Sequence, residues 1–188
     1  AADVLEEMDP DDAADLISEL PPEQAAALLD RMEPDEADDI RRLLTYDDFS
    51  AGGMMTTEPI VLPADATVAD ALAHIRNPDL SPALASQVYV TRAPTETPTG
   101  KYLGVAHFQR LLREPPGTLV SSVLDTNLVP VGPNAPLSVV TRTFAAYNLV
   151  ALPVVDDNGR LIGAVTVDDV VDHMLPEDWR ENDGDDRG

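Results

Sequence analysis

Two short stretches of this sequence concentrate carboxylates at helical spacing. In "PDDAAD" Asp11 and Asp15 are four residues apart with Asp12 beside them; in "TVDDVVDHM" Asp168 and Asp172 are four apart with Asp169 between them. Residues at that spacing share one face of a helix, and like charges there destabilise it unless a counterion intervenes. Both stretches therefore predict acidic faces suited to a hard cation. Mg2+ takes oxygen ligands, keeps several waters and uses one or two carboxylates directly, so opposed acids on two elements suffice. Helix chemistry offers a plainer use: Thr166 is placed to cap a helix, and acids in the first turn suit its positive end, each contributing about 0.3 to 1 kcal/mol. Capping accounts for Thr166 and Asp168 and leaves the third acid of the cluster open.

The whole composition points the same way. Over 188 residues, 35 acidic side chains face 12 basic ones, a net charge of −23 that argues against nucleic acid or anionic membrane surfaces as partners. Cations are the natural partners, although a single lysine, Lys101, beside eleven arginines also suits adaptation to high salt. With 44% hydrophobic residues the chain can bury a real core and hold more than one small domain. Absence of cysteine excludes disulfides, thiolate metal sites and cysteine nucleophiles. No apolar run reaches the roughly 18 to 20 residues of a membrane span and no signal peptide opens the chain, so the sequence reads as a soluble, non-secreted piece. Its abrupt start and its polar end, "ENDGDDRG", read as those of a fragment.

The elements that must position these acids follow from an internal repeat. Units beginning at Pro10, Pro22 and Pro34 are twelve residues apart, with Ala13, Ala25 and Ala37 at the same phase. Proline at a first helical position followed by acids is a strong helix start, so each unit predicts one short helix. Such helices are marginal alone and must stack as a small array, with Leu16, Ile17, Leu20, Leu28, Leu29, Met32, Ile40, Leu43 and Leu44 as the expected core. Gly52 and Gly53 mark a boundary. Beyond them β-branched runs alternate with helical ones, and the pattern occurs twice: Thr67-Val68 matches Pro136-Leu137, and Gly104 and Gly163 each sit in a strand leading into a helix. Each copy predicts strand, helix, strand, hairpin, strand, helix, with "DDNG" from Asp156 to Gly159 as a tight turn. The equivalent hairpin of the first copy, "TRAPTETPTGK", reads as long, loose and mobile.

This tandem α/β repeat, closing on "LPVVDDNGRLIGAVTVDDVV", resembles a CBS-domain pair. With "PDDAADL" and "AGGMMTTE" ahead of it, the chain from roughly residue 5 to 176 resembles the cytosolic region of the MgtE magnesium transporter family. The resemblance implies an α/β (α+β) fold: a superhelical N domain of short helices over 1–50 (its C-terminal part), CBS domains over 51–118 and 119–177, and a polar tail over 178–188. It further implies an Mg2+ sensor, dimeric through its CBS domains, that clamps shut when its acidic interface fills and gates the family's transmembrane pore, which this chain lacks. On that reading Asp11 and Asp15, with Asp12, face Asp169 across the interface, with Asp168 and Asp172 beside it. The place of action is the cytoplasm, at the inner face of the membrane where a pore domain is attached.

A second ligand competes for the same aspartate. "GAVTVDD" fits the Gly-x-x-Thr-x-x-Asp pattern by which CBS modules bind ATP or AMP, which makes Thr166 and Asp169 the nucleotide candidates. The first copy departs from the pattern, with His107 and Arg110 at the equivalent positions, and the basic residues available to a polyanion are Arg92, Lys101, Arg110 and Arg142. Asn148 and the carboxylate-free "GPNAPLS" also depart from the family, as does Pro176 before Glu177 and Asp178, where its connecting helix begins. His74, His107 and His173 lack partners at zinc spacing, and Met54 and Met55 read as packing. No nucleophile elbow, P-loop or convergent His-acid pair occurs, so the expectation is a binding module rather than an enzyme, with a soluble dimerisation adaptor as a third possibility.

Overall fold

The computed structural model describes residues 2–175, so Glu177, Asp178 and the expected tail over 178–188 lie outside the described residues. Four helices come first: α1 (Ala2–Leu5), α2 (Pro10–Ser18), α3 (Pro22–Leu29) and α4 (Pro34–Leu43). The last three start at the repeated prolines, as their fixed φ and missing N–H favour. Helix α2 packs on α4, and alanines make this possible: Ala13, Ala14 and Ala37 let the two backbones approach, while Ile17, Ile40 and Leu43 fill the seam. Part of the expected core is corrected here. Ile17, Leu29, Met32, Ile40 and Leu43 are buried, Leu20 and Leu28 are half-buried, and Leu16 and Leu44 face outward. The stripe runs one position round from Leu16 because the small Ala13 and Ala37, not the leucines, set the contact.

Helix α5 (Ala51–Met54) joins the two parts, and Ser50 caps it by accepting from the Gly53 N–H. Its glycines answer a steric need: a Cβ on Gly52 would lie 2.5 Å from the Tyr46 ring. The first α/β copy follows as β1 (Val61–Pro63), α6 (Val68–Ile75), β2 (Gln87–Thr91), β3 (Tyr102–His107) and α7 (Phe108–Leu111). The second is α8 (Leu137–Tyr147), β4 (Ala151–Val155), β5 (Leu161–Thr166) and α9 (Val167–Met174). Strand β1 pairs parallel with β2, and β2–β3 and β4–β5 are antiparallel hairpins. Gly104 opposes Val90 and Gly163 opposes Val154, at equivalent places in the two hairpins. Thr67 and Pro136 precede equivalent helices, as the repeat predicts. The first strand expected of the second copy, "LVPV", is reduced to a single parallel bridge from Val131 to Val154.

The lead-in segments are exchanged between copies. Thr56, ahead of the first copy, bridges Ala164 of β5, while Asp125, ahead of the second, bridges Val105 of β3. The long hairpin is likewise corrected from loose to anchored. Thr99 is 1% exposed; its backbone N–H donates to the Leu161 carbonyl, its Oγ1 accepts from the Leu161 N–H at 3.1 Å, and Thr97 Oγ1 donates to the Thr57 carbonyl. One apolar cluster therefore runs from the N-terminal helices through Met54 and Met55 into β4, β5 and α9, with a second cluster inside the first copy.

Candidate functional site

The two acidic stretches meet. The last turn of β5 into α9 is organised by a reciprocal cap: Thr166 Oγ1 accepts from the Asp169 N–H, and Asp169 Oδ2 accepts from the Thr166 N–H at 3.1 Å and from its hydroxyl at 2.6 Å. Capping thus employs Asp169, at the third helical position, rather than Asp168, which is exposed. The box holds the Asp169 carboxylate at the helix start through its Oδ2.

Helix α2 lies opposite. Asp11 is 8% exposed, and its Oδ1 is buried without a hydrogen-bond partner. Burial, then the Asp169 carboxylate, push its pKa up to about 8, with Asp12 and Asp9 adding to the effect. Asp169 is half-buried; burial raises it, the Thr166 bonds pull it back, and Asp12 and Asp168 raise it again, to about 6. Asp15, part-desolvated by its surroundings, is raised by that burial and lowered by His173, against further upward pushes from Asp48, Asp12 and Glu19. His173 itself sits with its Nδ1 2.8 Å from the Asp169 carbonyl and its ring edge-on to Phe49.

Asp11, Asp12, Asp15 and Asp169 are therefore one electrostatic group spanning two domains. Asp168 stands at its edge, exposed, and Asp172 is half-buried on the same helix. Among the described residues no three His, Asp or Glu side chains converge closely enough to hold a metal by themselves. A buried carboxylate oxygen without a donor nonetheless fits a hard cation that retains most of its water. An orphaned buried oxygen costs about 1 to 3 kcal/mol, more when charged, so Asp11 Oδ1 is a buried acceptor left unmet.

A separate cleft of about 220 Å³ lies between the two copies, and neither Thr166 nor Asp169 lines it. Its walls include Gln87, whose amide nitrogen donates to Tyr89 Oη and to the Ala151 carbonyl, and His107, whose Nε2 is 3.4 Å from Asp125 Oδ2. Sequence reasoning missed Asp125 entirely: its partner is eighteen positions away, and only the bridge to Val105 brings them together. His74 is exposed, its ring on the Asp70 carbonyl, while Met54 and Met55 are buried packing residues.

Comparison with known proteins agrees with this architecture. The profile of the MgtE intracellular N domain matches residues 1–48 and that of the CBS domain matches 51–117 and 120–176. The magnesium transporter MgtE of Thermus thermophilus is 33% identical over 141 residues, 74% of this chain and 30% of the relative's length. A crystal structure of the soluble part of a magnesium transporter superposes with a TM-score of 0.82 at 33% identity, covering 92% of this chain and 66% of the other. The cytosolic domain of the Mg2+ channel MgtE in complex with ATP gives 0.81 at 32%, covering 93% and 69%. Among the described residues no helix is long and apolar enough to cross a membrane. The chain belongs to the MgtE magnesium transporter family, matching the N domain and CBS pair of its cytosolic region.

Proposed function

We propose that this chain is the Mg2+-sensing regulatory part of an MgtE-type transporter, a binding module rather than an enzyme. The observation that carries the reading is Asp11: a buried carboxylate with an unpartnered oxygen, set against Asp169 of another domain. Asp11 and Asp15 from α2 and Asp169 from α9 would hold the ion, directly or through its water, with Asp12, Asp168 and Asp172 supplying the surrounding field. Mg2+ supplies the positive charge that lets these faces stay together. Without it, repulsion between the faces favours their separation, and this displacement would be passed to a pore domain in a homodimer joined through the CBS copies, at the inner face of the membrane. Millimolar Mg2+ should compact the protein in small-angle scattering and protect the α1–α4 segment from proteolysis relative to EDTA. Identical profiles in both conditions overturn the reading.

A second ligand is supported independently. The MgtE relative solved with ATP, together with the cleft between the copies, favours an adenosine nucleotide bound alongside Mg2+. Thr166 and Asp169 are candidates by pattern, but the cap and the opposed α2 acids make their surroundings unfavourable to phosphate. The cleft avoids that conflict. Calorimetry with ATP and AMP tests this reading, and the absence of any heat removes it.

A further inference from the structure

We propose that Trp179 docks, within its own chain, into an apolar groove at the end of α9, and that Arg180 fixes its register by pairing with Asp47. The contact goes beyond both ligand readings and depends on neither.

The groove, of about 500 Å³, opens where the segment ahead of α5, the start of α8 and the end of α9 meet. Phe49, Leu137 and Met174 form its apolar walls. Phe49 is 56% exposed and Met174 63%. Single exposed apolar residues need no explanation, whereas large ones gathered around one concavity call for a cover. Ser138 and Thr141 add hydroxyls to the same wall, and Thr141 Oγ1, which donates to the Leu137 carbonyl at 2.9 Å, keeps lone pairs for an N–H donor. An indole matches this mixture, with a broad apolar face and one N–H.

The chain that leaves α9 supplies the indole. Leu175 has extended backbone, φ −90° and ψ 158°, as the following Pro176 requires, so the chain departs beside the wall that Met174 forms. Residues 176–180, outside the described residues, read Pro-Glu-Asp-Trp-Arg and hold the one tryptophan of the sequence. Four residues extend at most about 14 Å, which keeps Trp179 within reach of a groove that begins at Met174. Charge is complementary on both sides of it. Among the described residues α8 has no side-chain cap and no acid in its first turn, so Glu177 and Asp178 find the positive end of a helix. Asp47 lines the groove, accepts from the Phe49 N–H at 3.0 Å through Oδ1, and keeps lone pairs for the Arg180 guanidinium. Docking ties the end of α9, the helix of Asp169, to the joint with the N-terminal helices, where the Phe49 carbonyl already accepts from the Leu137 N–H at 2.9 Å.

The test reads the fluorescence of Trp179 in the whole chain, where no other tryptophan contributes. Acrylamide should quench it at least threefold more slowly than N-acetyltryptophanamide, and equally so after a hundredfold dilution of the protein. Phe49→Ala and Asp47→Arg should each raise quenching at least twofold, and adding Arg180→Asp to Asp47→Arg should bring it back towards the parent value. Phe49 and Asp47 are both exposed, so these variants leave the core intact, and Leu112→Ala, at an exposed leucine of the first copy, should change nothing. Quenching as fast as that of the free compound overturns the docking, and so does protection that Phe49→Ala leaves unmoved, which would put the indole elsewhere. Protection that vanishes on dilution assigns the groove to the same segment of a second copy and overturns docking within one chain. A double variant no better protected than Asp47→Arg overturns the pairing with Arg180.

Discussion

At Asp11 the proposed cation site is also a proton site. Its folded pKa of about 8 lies well above the ordinary carboxylate value, and that of Asp169, about 6, is raised as well. The folded state therefore binds more protons than the unfolded chain, and the sign of the linkage follows. In EDTA, stability should be greatest near pH 4 and fall as pH rises towards 8, each group contributing a slope of at most about 1.4 kcal/mol per pH unit. Above pH 8 the dependence should flatten. Asp11→Asn removes the larger contribution, so its melting temperature in EDTA should exceed that of the parent at pH 8 and match it near pH 4; equal differences at both values contradict the assignment. The spacing of these acids on α2 and α9 was legible in the sequence, because helical period alone puts four-apart residues on one face. The burial of Asp11 was not, because it depends on which domain lies opposite. Capping was legible at Thr166 but assigned to the wrong acid, since the third helical position, not the second, reaches back to the cap N–H.

At the scale of elements, the joint between the N-terminal helices and the second copy depends on a close backbone approach. Thr56 and Ala164 exchange both of their hydrogen bonds, and a Cβ on Gly163 would stand 2.5 Å from the Thr56 carbonyl oxygen and 2.8 Å from Met55 Sδ. Gly163→Ala must push this segment off β5, breaking a backbone pair and unpacking Met55. A loss of about 2 to 4 kcal/mol is expected, since lost hydrogen bonds and an opened core add. Denaturant unfolding measures it, and a change under about 0.5 kcal/mol would show that the segment tolerates displacement. Thr99→Val makes a milder version in the anchored hairpin. It strips a buried acceptor from the Leu161 N–H, for an expected cost of about 1 to 3 kcal/mol. The repeated order of helices and hairpins was readable from β-branched runs and turn residues. The anchoring of "TRAPTETPTGK" was not, because its proline and threonine content reads as a surface loop, and its partners, Thr57 and Leu161, are distant in sequence.

The molecule as a whole couples these features through a shared core. The cluster that holds Ile17 and Leu43 also holds Met55, Leu152 and Val170, so the N-terminal helices share their packing with the second copy while α2 and α9 repel through their acids. Apolar burial and carboxylate repulsion thus act in opposition at one interface, and the proposed sensing requires charge to decide the balance. Repulsion between Asp11 and Asp169 needs both charges, so neutralising either relieves most of it. The double variant Asp11→Asn with Asp169→Asn should stabilise the clamped form in EDTA by less than the sum of the single effects, because residues sharing one interaction are not additive. Asparagine preserves the shape of both side chains, and at Asp169 it keeps an oxygen to accept from the Thr166 N–H, so the cap survives. In scattering, the double variant should be as compact in EDTA as the parent is in millimolar Mg2+, and adding Mg2+ should change it little. If it instead expands in EDTA as the parent does, charge at this interface is not what holds the domains apart, and the opening must be driven from the CBS side.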